Sequence, residues 1–255
     1  MFPILSRNQI KFIRTLKQKK YRYKFKNYVV EGEKLVADMA THRADLIRYL
    51  IVDEKYTGKL DFWQSDIFQT DPQTFKLLSN LVQPQGIMAL CSIPDEYFSS
   101  NWSTSDFTLY FDAIQDPGNL GTMFRTAEWF GISQIMIGKG TVDPFSPKTI
   151  QAAMGSHSYL RMYECDTTVA LEWPHPVILA DMKGENAFRH HWTNSGMLVL
   201  GNEGQGISSA FEEAGFSRIT IPPAGSVRSE SLNVGMACTV LITLRHQSLL
   251  RAGKL

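Results

Sequence analysis

The chain has 255 residues, 44% of them hydrophobic, and carries 26 basic against 25 acidic side chains; that is enough apolar material for two modest cores, and the total charge by itself nominates no polyanionic partner. Three cysteines, Cys91, Cys165 and Cys238, are too few and too scattered for a disulfide framework or a zinc cluster. No run approaches the roughly 20 apolar residues that span a bilayer, and Arg7 and Lys11 stand where a signal peptide needs its apolar stretch, so the expectation is a soluble protein of the reducing cytoplasm.

The charge is unevenly spread: nine Lys or Arg residues and no acid precede Glu31. Over residues 8–26, Ile10, Phe12, Ile13 and Leu16 are interspersed with Arg14, Lys17, Lys19 and Lys20, a spacing that predicts an amphipathic helix with one basic face. Tyr21, Tyr23, Phe25 and Tyr28 then interleave with Arg22, Lys24 and Lys26, offering cations to phosphates and rings to unstacked bases. A solvated basic helix leading into a strand is the alternative reading. The predicted RNA-facing set is Arg7, Lys11, Arg14, Lys17, Lys20, Arg22, Lys24 and Lys26. A strand at 29–30, a helix at 33–39, a strand at 47–52, a helix at 72–79 and a β-rich run at 86–91 complete a small α/β domain over residues 1–98. The Ser, Asn, Thr and Asp residues of 99–106 read as a linker.

From residue 107 to 255 the pattern lengthens into βα units. Strands at 109–114, 134–137, 177–180, 197–200 and 218–221 alternate with helices, among them 120–130, 147–154 and a closing helix at 232–249. This predicts a mostly parallel sheet covered on both faces, with ligands gathering at the carboxyl ends of its strands.

Three glycine-punctuated segments each follow a predicted strand. The first, residues 116–126, holds Asn119 near a helix start, Gly121 for close backbone approach and Arg125 almost two turns along; read blandly, Asn119 is a helix cap and Arg125 a surface or ion-pair arginine. The second, residues 200–208, frames Glu203 with Gly201, Gly204 and Gly206. Its G-x-x-G-x-G order is no dinucleotide fingerprint and it has no phosphate-cradling lysine, so it suits a neutral or cationic nucleoside, or else is a tight turn with Glu203 favoured by a helix dipole. The third runs from Ile221 and Pro222 to Ser226, followed by Ser231, Leu232, Asn233 and Val234 before the last helix, where Ser231 and Asn233 cap that helix or face a ligand. The adjacent pair His190 and His191 cannot face one way on a helix and forms no metal-ligand spacing. The triplet Ser156-His157-Ser158 lacks the context of a nucleophile elbow.

In this order the trio resembles the SpoU family of RNA ribose methyltransferases, within the knotted methyltransferase superfamily. Asn119, Gly121 and Arg125 match its Asn-x-Gly-x-x-x-Arg motif; Gly201, Asn202, Glu203 and Gly206 match Gly-Asn-Glu-x-x-Gly; Ile221, Pro222 and Ser231 to Val234 match Ile-Pro followed by Ser-Leu-Asn-Val. The extension at Arg228 to Glu230 and Gly235 in place of a frequent serine depart from the pattern. Residues 27–35 are similar to the substrate-binding domain of many members, a small fold related to RNA-binding ribosomal proteins. The resemblance implies a trefoil-knotted, mostly parallel catalytic domain, S-adenosyl-L-methionine as methyl donor, no metal, a homodimer through the C-terminal domain, and a ribose 2′-hydroxyl of structured RNA as acceptor, ribosomal RNA ahead of transfer RNA. It assigns Arg125 to the hydroxyl and the RNA, as activator or proton acceptor, and has Asn119 orient the ribose or Arg125. Glu203 then fixes Arg125 or the loop, with Ser231 and Asn233 beside them. Leu200, Gly201, Asn202, Gly206, Ile221, Pro222, Ser231 and Leu232 are implied to line the cofactor site. A non-catalytic RNA-binding or ribosome-assembly factor that keeps the fold is the rival, supported by the altered third motif.

Overall fold

The structure is a computed structural model that describes residues 2–63, 66–225 and 228–254. In chain order its main elements are α1 (Arg7–Thr15), α2 (Lys19–Phe25), β1 (Asn27–Glu31), α3 (Glu33–His42), β2 (Ile47–Asp53), β3 (Ile67–Thr70), α4 (Pro72–Leu78) and β4 (Ile87–Ser92). There follow β5 (Phe107–Phe111), α5 (Pro117–Trp129), β6 (Gln134–Gly138), α6 (Pro147–Ala153), β7 (Arg161–Cys165), α7 (Thr167–Leu171), β8 (Val177–Asn186), β9 (Gly196–Leu200), α8 (Ser209–Glu213), β10 (Ser217–Thr220) and α9 (Val234–Arg251). The chain divides into two units, one of Met1–Pro94 with Asp143–Tyr159, the other of Asp95–Val142 with Leu160–Leu255.

The first unit is built on a four-stranded sheet of order β1-β4-β2-β3. The β4 strand runs antiparallel to both neighbours, and β3 lies parallel on the edge. Leu5, Ile13, Ile51, Phe75, Leu78 and Met88 form one buried cluster of its core. The predicted helix over 8–26 is two helices: Ser6 and Gln9 close a capping box at the start of α1, and the chain turns at Leu16 to Gln18 before α2 begins. The reason is Leu16, which is buried and whose carbonyl accepts a hydrogen bond from Arg22 Nη1 at 2.7 Å. The helix α6, predicted within the C-terminal domain, belongs to this unit. There Asp143 takes the Arg22 guanidinium (Nε to Oδ2, 2.7 Å), Phe145 packs on Tyr28 with ring centroids 5.1 Å apart, and Gln151 donates to the Glu31 carbonyl at 2.7 Å.

The second unit holds a six-stranded sheet, order β10-β8-β9-β5-β6-β7, every pairing parallel. All residues of β5, β6 and β9 are buried, as expected of strands with both faces covered. The helices α5 and α9 pack on each other, with Thr126 and Thr239 hydroxyls 3.0 Å apart. Residues 99–106, read as a linker, are held to this unit: Ser103 N donates to Gln134 Oε1 at 2.8 Å and Trp102 meets Tyr163 edge-on with centroids 6.0 Å apart. Two strands, β3 and β7, were not predicted, and β8 continues past 180 because Glu185 and Asn186 pair with Ile219 and Thr220.

Candidate active site

Because the strands are parallel, the segments after β5, β9 and β10 leave the same edge of the second unit's sheet. Ala113 takes a left-handed conformation, φ 57°, uncommon for a residue with a Cβ, and swings the chain off β5. The Asn202 side chain holds that turn, donating from Nδ2 to the Ala113 carbonyl at 2.8 Å. Past Ile114, Gln115 N and Asp116 N donate to the Glu203 carboxylate at 3.1 and 3.3 Å. Asp116 caps α5, accepting from Asn119 N at 2.7 Å, with Pro117 at the first helical position.

Asn119 joins all three segments. Its Nδ2 donates to Glu203 Oε1 at 3.0 Å, and its Oδ1 accepts from Asn233 Nδ2 at 2.9 Å. Asn233 in turn caps α9, its Oδ1 accepting from Gly235 N at 2.9 Å and Met236 N at 3.2 Å. A Cβ at Gly235 would sit 3.2 Å from Asn233 Oδ1, so a larger residue here presses on the cap. Burial alone would raise the Glu203 pKa, but hydrogen bonds from the Asn119 side chain and the backbone of Glu203, Gln115 and Asp116 outweigh it and hold the carboxyl below its ordinary value.

The second segment is a closed backbone loop. Asn202 N donates to the Gly206 carbonyl at 2.8 Å and Gly206 N to the Asn202 carbonyl at 3.0 Å, while Asn202 Oδ1 accepts from Gly204 N and Gln205 N, both at 2.9 Å. Gly201 is required by this closure: a Cβ there would lie 2.5 Å from the Gly206 carbonyl group. Behind it the buried Asp112 accepts from Ser208 N at 2.7 Å.

The structure thus brings Asn119, Glu203 and Asn233 into direct contact, with Leu200, Gly201, Asn202 and Gly206 in the adjoining strand end and loop. Arg125 is exposed on α5 and, among the described residues, has no hydrogen bond or ion pair. The expectation that Glu203 fixes either Arg125 or the loop resolves to the loop, because the amides of 115 and 116 and Asn119 occupy the carboxylate. Ile221 and Pro222 are half-buried, whereas Ser231 and Leu232 are exposed; Ser226, which closes the 221–226 segment, lies outside the described residues. Asp112, Ala113 and Asp116 were missed as site residues. The Asp-Pro pair at 116–117 was the available signal, since Asp at a cap before Pro at the first turn marks a helix start.

Of the predicted RNA-facing residues, Arg7, Lys11, Arg14, Lys20, Lys24 and Lys26 are exposed, and Lys17 donates to the Ser79 carbonyl at 2.6 Å. Arg22 is a correction. It is buried and paired with Asp143, which also accepts from the Tyr23 hydroxyl at 3.2 Å, so it faces no phosphate. Tyr28 is likewise buried, in β1, and offers no ring to a base. In the triplet 156–158, His157 is buried and neither ring nitrogen has a partner among the described residues; burial pushes its pKa down to about 4, which leaves a neutral core imidazole. An open cleft of about 470 Å³ is lined by His175, His190, His191, Val177 and Ser217. It opens where β8 and β10 begin, the opposite edge of the sheet from the three segments, and holds none of their residues. Among the described residues no group of three or more His, Cys, Asp or Glu is placed to hold a metal ion, and no helix is long and apolar enough to cross a membrane.

Two family models match the chain: the SpoU rRNA Methylase family over residues 106–243 and an MRM3-like substrate binding domain over residues 7–89. The chain is 30% identical over 252 residues to the 23S rRNA (guanosine(2553)-2′-O)-methyltransferase RlmP of Bacillus subtilis, covering 93% of this chain and 96% of that protein. It is 29% identical over 171 residues to the mitochondrial rRNA methyltransferase 3 of Xenopus laevis, covering 64% of this chain and 40% of the relative. Among solved structures, a putative RNA methyltransferase of the TrmH family from Porphyromonas gingivalis superposes with a TM-score of 0.83 at 34% identity, over 96% of this chain and 99% of that one.

Proposed function

The chain belongs to the SpoU rRNA methylase family, and we propose that it transfers the methyl group of S-adenosyl-L-methionine to a ribose 2′-hydroxyl of ribosomal RNA in the cytoplasm. The observation that carries this reading is the Asn119 side chain, which bonds Glu203 and Asn233 at once and so locks the three motif segments into one edge.

The residues present fit the methyl donor. Gly201 is bare where a Cβ would strike the loop backbone, nothing stands within 4 Å of a Cβ at Gly206, and Ile221, Pro222 and the exposed Leu232 would supply apolar walls for an adenine. Leu200, Gly201, Asn202, Gly206, Ile221, Pro222, Ser231 and Leu232 would hold it. When bound, it supplies an electrophilic methyl group on a sulfonium. The chain's task is then to hold a hydroxyl oxygen in line, and positioning of this kind removes much of a bimolecular barrier. Arg125, free of partners among the described residues, is available to the acceptor hydroxyl. Guanidinium groups stay charged throughout the physiological range, so Arg125 donates to the oxygen and stabilises the negative charge that develops on it. The proton leaves to another acceptor, water or an RNA phosphate. Asn119, Glu203 and Asn233 act on the segments, holding the α5 start and the α9 cap in register.

Substrate capture falls to the exposed cations of α1 and α2, and a two-fold partner to α5 and α9, where the apolar Trp129 and Met236 are 80% and 61% exposed. Light scattering at micromolar concentration should report a dimer. The knot implied by the family is part of the same reading.

Saturating S-adenosylmethionine tests the function directly. At a hundredfold excess over its dissociation constant it should stabilise the fold by ~2.7 kcal/mol, a thermal shift of several degrees, and labelled methyl groups should appear at ribose in ribosomal RNA. No shift and no transfer, with RNA present, would leave the non-catalytic assembly factor.

A further inference from the structure

The helix α2 carries more than charge. Tyr21 and Phe25, one turn apart, have their rings stacked with centroids 6.1 Å apart and planes at 11°, while Phe12 of α1 closes edge-on against Phe25 at 5.2 Å. Supported from that side, Phe25 remains 40% exposed and stands outside the buried cluster that Ile13 and Phe75 belong to. Lys20 Nζ lies 4.8 Å from the Tyr21 ring centre and Lys24 Nζ 5.4 Å from that of Phe25. No acid precedes Glu31 in the chain, so no neighbour along the sequence neutralises these cations.

We propose that the Tyr21–Phe25 ring pair is a stacking platform for unpaired bases, and that the substrate is captured through a single-stranded RNA segment; this rests on the RNA methyltransferase reading for the identity of the polyanion. A duplex presents phosphates and 2′-hydroxyls but keeps its base faces inside the stack, whereas splayed bases offer a π-face to an aromatic side chain. Lysines alone would serve a duplex equally well. A ring pair in which Phe25 is exposed and Tyr21 half-buried, backed by Phe12, gains contact on its open side only when a base lies on it. The ammonium groups beside the rings make weak, exposed cation–π contacts and can pass to the phosphates as bases replace them, so one helix turn grips base and backbone together.

The test is a binding cycle with the full chain, read by fluorescence anisotropy. One probe is an unstructured RNA of about 12 nucleotides, within the span of one single-strand binding domain, and the other has the same backbone with abasic sugars. Phe25→Leu keeps an apolar contact for Phe12 but removes the ring, and should weaken binding of the base-bearing probe about tenfold while leaving the abasic probe unchanged and the salt slope intact. Phe25→Trp should restore it, and Tyr21→Leu should repeat the loss. An equal loss on both probes, or no loss on either, overturns the proposal, as does wild-type protein that binds a perfect duplex as tightly as the single strand. Failure of the enzymatic reading is separately visible, because the cofactor-induced thermal shift does not depend on Phe25.

Discussion

The edge that carries Asn119, Glu203 and Asn233 and the helix pair α1–α2 are both polar surfaces, but they are made in opposite ways. At the edge, hydrogen bonds join residues 84 and 114 positions apart. On α2 the contacts are between neighbours within a turn, Tyr21 with Phe25 and Lys19 with Tyr23. Groups that hold one another through long-range bonds fail together, while a row of local grips loses its members one at a time. Geometry sharp enough for bond formation calls for the first construction, and tolerant capture of a flexible polymer for the second. Arg22 belongs by sequence to the second and by bonding to the first, since its partner Asp143 stands 121 positions away.

The largest effect should therefore come from Arg22. Arg22→Met leaves the buried Asp143 without its cation and should cost about 3–5 kcal/mol in urea unfolding, where Lys24→Ala should change stability by no more than about 0.5 kcal/mol. A loss under about 1 kcal/mol would return Arg22 to the row of independent cations. Next, Arg125→Ala should lower methyl transfer by ~100-fold, about 2.7 kcal/mol, with the melting temperature and the cofactor shift preserved. Arg125→Lys should fail too, lacking the planar fork; an equal loss of stability would make the residue structural.

Smaller effects probe the cluster. Asn233→Ala removes the α9 cap and should cost about 1 kcal/mol; combined with Asn119→Ala it should cost less than the sum, with a coupling of at least ~0.5 kcal/mol in a thermal unfolding cycle. Strict additivity would mean that the bond between them is incidental. The least change concerns pH. Since the Glu203 carboxyl titrates below its ordinary value when folded, the unfolded chain takes up that proton first on acidification. Its stabilising contribution is whole above the ordinary carboxyl range and fades as pH falls through the depressed folded value. The protection of the Gln115 and Asp116 amides against exchange, relative to their intrinsic rates, should fall over that window, and Asn119→Ala should move the window upward. If the window stays put, Asn119 does not bear on Glu203.

Much of the second unit's sheet was legible because fully buried parallel strands are near-continuous apolar runs, as in Leu198 to Leu200 and Leu109 to Phe111. The β7 strand was not, since Arg161 and Glu164 break its short run, with Arg161 paired to Asp106 at 2.7 Å. The three motifs announced the edge through their order and their place after strands. Which atoms meet there was illegible: the Glu203 carboxylate reaches two backbone amides and Asn119 instead of Arg125, and backbone donors leave no trace in side-chain identity. Arg22 was misread for a related reason. Nothing within its own helix distinguishes it from Lys20 or Lys24, and only the distant Asp143 decides that it turns inward.

The membership of Asp143–Tyr159 in the first unit also has a meaning in time. Chains are synthesised at roughly 5–20 residues per second, so the helices and strands before Pro94 emerge seconds ahead of the carboxylate that neutralises Arg22 and of the Phe145 ring that packs on Tyr28. During that interval the amino-terminal segment is a nascent domain with a cation and an aromatic ring awaiting their partners. Its completion is scheduled after β5, α5 and β6 have already left the ribosome. A fragment cut at the end of the amino-terminal stretch would be held at that unfinished stage, and its RNA affinity would report an intermediate of biosynthesis instead of the mature domain.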